Sequence, residues 1–82
     1  MADEVRDLLL RTKAVIERLP PKERIVFTLF YVERRTLAEI AEIGGYSLAT
    51  AKRKVARANR RFQGFLSHNP ELVELVRKAG ER

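Results

Sequence analysis

The feature that most constrains the fold is an alternating spacing of three and four residues between apolar positions in the second half of the chain. These positions are Leu48, Ala51, Val55, Ala58, Phe62 and Phe65. Because successive residues of an α-helix are rotated by about 100°, the spacing places all six on one face of a helix. We expect this helix to run from about Ser47 to Leu66 and to bury that face.

The residues just before it predict a shorter helix and a tight turn. Thr36-Leu37-Ala38-Glu39 has the pattern of a capping box before an apolar run, and Gly44-Gly45 ends the short helix. Ala41 is small where the two helices come closest, and Ser47 supplies the N-cap hydroxyl of the long helix. A short capped helix, a turn and a longer helix describe a helix-turn-helix, here over residues 36–66.

The rest of the chain predicts further helices. Apolar residues follow the helical period from Asp3 to Leu19, and Pro20-Pro21 separates that helix from the next. The second helix, about Pro21 to Val32, is apolar over much of its circumference and is expected to be central. A last short helix is expected over about 70–79, as core packing, a partner surface or an expression remnant. The sequence thus predicts an all-α fold, a four- to five-helix bundle, as a single domain over residues 1–82.

The net charge of +6 is concentrated in the long helix. Residues 47–66 contain six basic side chains and no acidic one, whereas acidic and basic residues balance on either side. The six are Lys52, Arg53, Lys54, Arg57, Arg60 and Arg61. A cationic stripe on an otherwise balanced domain is the electrostatic signature of a polyanion partner. Since a helix fits the major groove, where Arg or Lys can bind guanine O6 and N7, we expect double-stranded DNA as that partner.

The composition argues against several other classes. The chain has no cysteine, a single histidine (His68, expected to be exposed and inert) and no acidic cluster on a common face. We therefore expect no enzyme, no catalytic residue, no metal site and no cofactor. The N-terminal segment is charged throughout, and no apolar run approaches the roughly 18 residues of a membrane span. A soluble, cytoplasmic protein without a membrane partner is expected.

Several short pieces occur in a fixed order along roughly residues 5–66. They are Leu19-Pro20-Pro21, Tyr31, Ala38-Glu39-Ile40-Ala41, Gly45-Tyr46-Ser47, Thr50-Ala51-Lys52 and Arg57-Ala58. In this order and spacing the chain resembles region four of bacterial sigma factors, most closely the extracytoplasmic-function type. The resemblance implies a helix-turn-helix domain that acts in transcription initiation and its regulation.

Some positions depart from the usual pattern of that family. Gly44 stands where leucine is common, Ala49 where glycine is frequent, Ala51 where a branched aliphatic residue is usual, and Arg53-Lys54 where Ser-Arg is commoner. The small residues thin the contact between the two helices, and Tyr46 is expected to refill part of it. Arg53 alters the base-reading surface, so the DNA preference of the family does not carry over. The 82 residues contain no counterpart of region two, so an excised domain or a reduced stand-alone relative is expected.

The resemblance also implies partners and residue roles. The recognition helix would bind the promoter −35 element, and the domain would dock on the flap of the RNA polymerase β subunit, with an anti-sigma factor as a further partner. The implied base-reading residues are Leu48, Ala49, Lys52 and Arg53, to which the helical wheel adds Thr50. The expected phosphate contacts are Lys54, Arg57 and Arg60 on the helix, with Arg34 and Arg35 before the motif. Thr36 and Ser47 are expected to be caps that also touch phosphate.

Three alternatives remain open at this point. The first is a response-regulator-type or free-standing helix-turn-helix regulator, which would dimerise through the last helix and give a two-fold symmetric footprint. The second is a protein–protein adaptor that binds polymerase or an anti-sigma factor through the apolar second helix. An adaptor has no need of an acid-free basic stripe. The third, an RNA-binding domain, lacks the aromatic stacking platform expected for single strands.

Overall fold

The computed structural model describes residues 3–80, and every regular element in that part of the chain is helical. The elements are α1 (Asp3–Glu17), α2 (Pro21–Phe27), a π-helical segment (Thr28–Val32), α3 (Leu37–Gly44), α4 (Leu48–Ser67) and α5 (Pro70–Gly80). The predicted all-α bundle with a helix-turn-helix is confirmed. The predicted domain range also contains residues 1–2 and 81–82, which lie outside the described residues.

The predicted second helix is the element whose form differs most from expectation. It begins at Pro21 as expected, but its last turn is π-helical, and the Glu33 N–H donates to Thr28 O at 2.9 Å, five residues earlier. Arg34 then adopts a left-handed φ of 57° and turns the chain toward α3. A one-turn π-segment is rare, and no local residue pattern predicts it.

The core consists of two apolar clusters, and α4 contributes to both. The first holds Val15, Leu19, Phe27, Ala58, Phe62, Leu66 and Leu72. The second holds Val26, Ile40, Ala41, Ala51 and Val55. The second helix also contributes to both clusters, through Val26 and Phe27, but α4 buries five residues and contacts each of the other four α-helices. The expectation that the second helix is central is therefore wrong, and α4 has that position. The reason is that the second helix leaves Ile25 and Val32 about 60% exposed and buries only Val26 and Phe27.

The buried stripe of α4 differs from the predicted stripe at both ends. Leu48 is 55% exposed, whereas Leu66, which the alternating spacing left out, is buried. Phe65 is only partly buried, and the Arg18 guanidinium lies 4.9 Å from the centre of its ring. Leu48 and Leu66 are 18 residues apart, which is five full turns of an α-helix, so they project in the same direction. Their burial therefore depends on the neighbouring elements, because Leu66 lies in the first cluster and Leu48 lies in neither.

The last helix packs on the core, which is one of the three roles that the sequence left open. Leu72 of α5 is fully buried in the first cluster, where α5 packs against α1 and α4. At the edge of this contact the Arg11 guanidinium donates to Glu71 Oε2 at 2.8 Å, which links α1 to α5. Among the described residues, no helix is long and apolar enough to cross a bilayer.

Candidate nucleic-acid interface

The helix-turn-helix begins with the capping box that the sequence predicts. Thr36 Oγ1 accepts the Glu39 N–H at 3.1 Å, and the Thr36 N–H donates to Glu39 Oε1 at 3.0 Å. The hydrogen bond from the Thr36 backbone is the main reason why the pKa of Glu39 lies below its ordinary value, with smaller contributions from the Thr36 side chain and the Arg35 guanidinium. The first turn of α3 is therefore fixed at the point where the motif starts.

The turn between α3 and α4 depends on two glycines that act differently. Gly45 has a φ of 72°, which a residue without Cβ adopts freely, and the Tyr46 N–H closes the helix end on Ala41 O at 3.1 Å. Gly44 leaves room for the Tyr46 ring, because a Cβ at position 44 would lie 2.1 Å from Tyr46 Cε2. The ring packs against the second core cluster, so Tyr46 fills the space near Gly44 as the sequence suggested.

The first turn of α4 carries a chain of side-chain hydrogen bonds. Ser47 Oγ accepts the Thr50 N–H at 3.1 Å as the N-cap, and the same hydroxyl donates to Thr50 Oγ1 at 2.9 Å. Thr50 Oγ1 also accepts from Arg53 Nη2 at 3.1 Å. The predicted cap is confirmed, and its hydroxyl hydrogen is already engaged within the protein.

The residues predicted to read bases all lie within the first two turns of α4. Leu48, Ala49, Lys52 and Arg53 are exposed, and Thr50 is half-buried. Lys52 has no ion-pair partner within residues 3–80, and no acidic residue lies in the first turn. The N-terminal end of α4 thus presents two exposed cations and two exposed apolar side chains beside the half-buried Thr50.

The predicted phosphate contacts on α4 differ in their surroundings. Arg57 and Arg60 are exposed, follow Arg53 on the same face, and have no acidic partner among the described side chains. Lys54 is half-buried, and its Nζ lies 5.2 Å from the centre of the Tyr46 ring, a cation–π distance. The exposed cationic face therefore continues from the first turn of α4 past its middle.

The residues predicted before the motif are brought to the start of α3, but they are not equally available. Arg35 contacts Glu39 at 3.4 Å and Glu33 at 3.9 Å, so its charge is partly compensated. Arg34 is exposed without an ion pair in the described part of the chain. Thr36 is exposed, with its hydroxyl engaged as the cap.

Two features of this cationic surface cannot be seen in the sequence, namely the ion pair of Arg61 and the position of Lys22. Arg61 Nε lies 2.5 Å from Glu23 Oε2, in an ion pair too poorly aligned to be a hydrogen bond, and the Glu23 side chain is only 14% exposed. One of the six cations therefore joins α4 to α2. Lys22 of α2 lines the same open cleft as Lys54 and Arg57 of α4. No sequence signal marks Lys22, because its position depends on how α2 packs on α4.

Among the described residues, no group of three or more histidine, cysteine, aspartate or glutamate side chains could hold a metal ion. What this surface offers is cations, hydroxyls and backbone N–H groups at a helix end, which suit binding to a polyanion better than covalent chemistry.

Comparison with known protein families gives one match. The family described as sigma-70, region 4, matches residues 9–62, from within α1 to Phe62 near the end of α4. The match includes α3, the turn and α4 as far as Phe62, and it does not include α5. Searches among curated proteins and among solved structures give no significant match.

Proposed function

Because the chain belongs to the sigma-70 region 4 family, a family of DNA-binding domains and not of enzymes, we propose that residues 1–82 act as one domain that recognises the promoter −35 element. In this role it takes part in transcription initiation and docks on the β flap of RNA polymerase. An anti-sigma factor is a further candidate partner. Such a domain works in the cytoplasm, where polymerase and chromosome meet.

The observation that carries this proposal is the exposed cationic face of α4. Arg53, Arg57 and Arg60 follow one another on the side opposite the buried stripe, and no acidic side chain among the described residues neutralises them. A helix about 10–12 Å across fits the major groove, where its first turns reach base edges and its later turns lie nearer phosphate. This arrangement supports a recognition helix that enters the groove by its N-terminal end.

The residue roles follow from position along α4. We assign base reading to Leu48, Ala49, Thr50, Lys52 and Arg53, in the first two turns. We assign phosphate contacts to Lys54, Arg57 and Arg60, with Arg34, Arg35, Thr36 and Ser47 at the flanks of the motif. Among the phosphate contacts on α4, Arg57 and Arg60 are the best supported because they are exposed and unpaired within residues 3–80. Arg35 is expected to contribute less, because Glu33 and Glu39 compensate its charge.

Selection of bound duplexes from a random pool, with and without a β-flap fragment, tests the proposal. We expect one asymmetric sequence motif to be recovered, and the flap fragment to be retained with the complex. A palindromic motif would instead indicate a dimeric regulator. Failure to retain any duplex while the flap fragment still binds would indicate an adaptor. The variant Arg57→Ala/Arg60→Ala is the control for charge-driven retention, and it should retain less DNA of every sequence.

A further inference from the structure

Arg53 differs from the other exposed cations of α4 because a neighbouring side chain holds it. Its Nη2 donates to Thr50 Oγ1 at 3.1 Å, from one turn further along the helix. Lys52, Arg57 and Arg60 have no hydrogen-bond or ion-pair partner among the described residues. The Thr50 hydroxyl is itself anchored, because Ser47 Oγ donates to it at 2.9 Å and also caps the helix. Three side chains thus connect the helix cap to the guanidinium.

We propose that Thr50 is a positioning residue, which holds the Arg53 guanidinium ready to bind the O6 and N7 atoms of a guanine in the major groove. This inference rests on the proposed function and revises one assignment made there, since Thr50 would act on Arg53 instead of contacting a base itself. Ser47 then has a second task besides capping the helix, since its hydroxyl donates to Thr50 Oγ1, the atom that accepts from Arg53.

The chemistry of arginine makes such a contact useful. A free arginine side chain samples many rotamers, and ordering it at an interface costs free energy that preorganisation saves. The guanidinium has five N–H donors, and the bond to Thr50 uses one of them. Two donors on one edge remain for the bidentate contact that distinguishes guanine from the other bases. Lys52, a point charge without such a support, is expected to discriminate less.

The first test measures the preference for a duplex selected by this protein over a scrambled duplex. Thr50→Val removes the hydroxyl with little change of shape, and we expect the preference to fall by about 2- to 10-fold, the cost of ordering one flexible side chain. Thr50→Ser keeps the hydroxyl and should restore the preference. Thr12→Val is the matched control on α1, far from the first turn of α4, and should change nothing. A Thr50→Val protein with full preference would overturn the inference.

A double-mutant cycle separates positioning from direct contact. If Thr50 acts through Arg53, Thr50→Val should have no further effect on the preference in an Arg53→Ala background. A full effect of Thr50→Val in that background would show that Thr50 contacts DNA itself and would overturn the inference. If Arg53→Ala alone leaves the preference intact, the proposed base reader fails. If it abolishes the preference and Thr50→Val does not reduce it, only the positioning role fails.

A measurement on the free protein provides a test that does not depend on DNA. The NMR order parameter of the Arg53 Nε–Hε group should be higher in the native protein than in Thr50→Val. It should be equal in the native protein, in Thr50→Ser and in Thr12→Val. Thermal unfolding of the same variants shows whether each is folded. An Arg53 side chain equally mobile in the native protein and in Thr50→Val would overturn the inference, whatever the DNA-binding result.

Discussion

Arg53 and Arg60 are the same residue type on the same face of α4, but in the complex with DNA that we propose their positions give them different tasks. They are seven residues apart, which is about 10 Å along a helix. Arg53 lies in the second turn, where a side chain reaches base edges and where Thr50 supports it. Arg60 lies further along, where the wall of the groove curves away and phosphate is nearer. In the proposed complex, the position along the helix, more than the residue type, therefore distinguishes base contact from phosphate contact.

Alanine substitutions at these two arginines should separate the two tasks. Arg60→Ala should weaken binding to all duplexes alike and reduce the log–log salt slope by about 0.9, the value for one lost phosphate contact. Arg53→Ala should cost roughly 1–3 kcal/mol on the preferred duplex and much less on a scrambled one. Titrations of both duplexes at two salt concentrations measure this, with Arg6→Ala on α1 as the control. Equal losses of affinity on both duplexes for both variants would mean that α4 binds DNA without distinguishing its sequence.

At the scale of single elements, the ends of the helices were the most predictable features. The capping box at Thr36, the left-handed Gly45 and the Ser47 cap all follow from local rules, because each depends on residues within one turn. Features that depend on distant residues could not be predicted. The ion pair between Arg61 and Glu23 requires α4 to lie against α2, and no spacing in the sequence specifies that contact.

The capping box of α3 should make stability depend on pH in the acidic range. The pKa of Glu39 is lowered from an ordinary value of 4.5, so its carboxylate stabilises the folded state at higher pH. This contribution is present above the unfolded pKa and is lost as the pH falls through the folded one. Urea unfolding between pH 3 and 7 should therefore show a smaller loss on acidification in Glu39→Gln than in the native protein. Glu42→Gln, outside the capping box of the same helix, is the control and should lose as much as the native protein.

The buried face of α4 gives a second prediction at this scale. The centres of the Phe62 and Phe27 rings lie 4.6 Å apart in the first core cluster, so Phe62→Ala should cost about 3–5 kcal/mol of unfolding free energy. Phe65→Ala is the matched control. It should cost less, because Phe65 is only partly buried beside Arg18. Chemical denaturation of both variants measures the difference, and a larger loss at Phe65 would mean that the helix is rotated from the described position.

For the whole molecule, the main finding is that α4, the helix that we propose to bind DNA, is also the centre of the core. α4 buries Ala51 and Val55 in one cluster and Ala58, Phe62 and Leu66 in the other, while its opposite side carries the exposed arginines. The all-α bundle could be predicted because helical periodicity is a strong signal over twenty residues. The role of α5 could not be predicted, since a short apolar helix looks the same in sequence whether it packs inward or binds a partner.

A pair of neighbouring residues in α5 tests whether this helix belongs to the core. Leu72 is fully buried where α5 packs against α1 and α4, so Leu72→Ala should cost about 2–5 kcal/mol of unfolding free energy. Val73, 40% exposed on the same helix, is the control, and Val73→Ala should change stability by about 0.5 kcal/mol or less. DNA affinity measured well below the unfolding midpoint should be unchanged in both. Equal stability of the two variants would show that α5 does not pack as described.

The contact between Gly44 and the Tyr46 ring has a consequence for how this sequence can evolve. A methyl group at position 44 overlaps the ring, so a mutation there on its own pushes Tyr46 away from the second cluster. A mutation of Tyr46 to a smaller residue opens the space first, and a side chain at position 44 can then refill it. We therefore expect the two sites to change in a preferred order, with position 46 ahead of position 44. The fitness effect of any substitution at Gly44 depends on the mutational history of its neighbour.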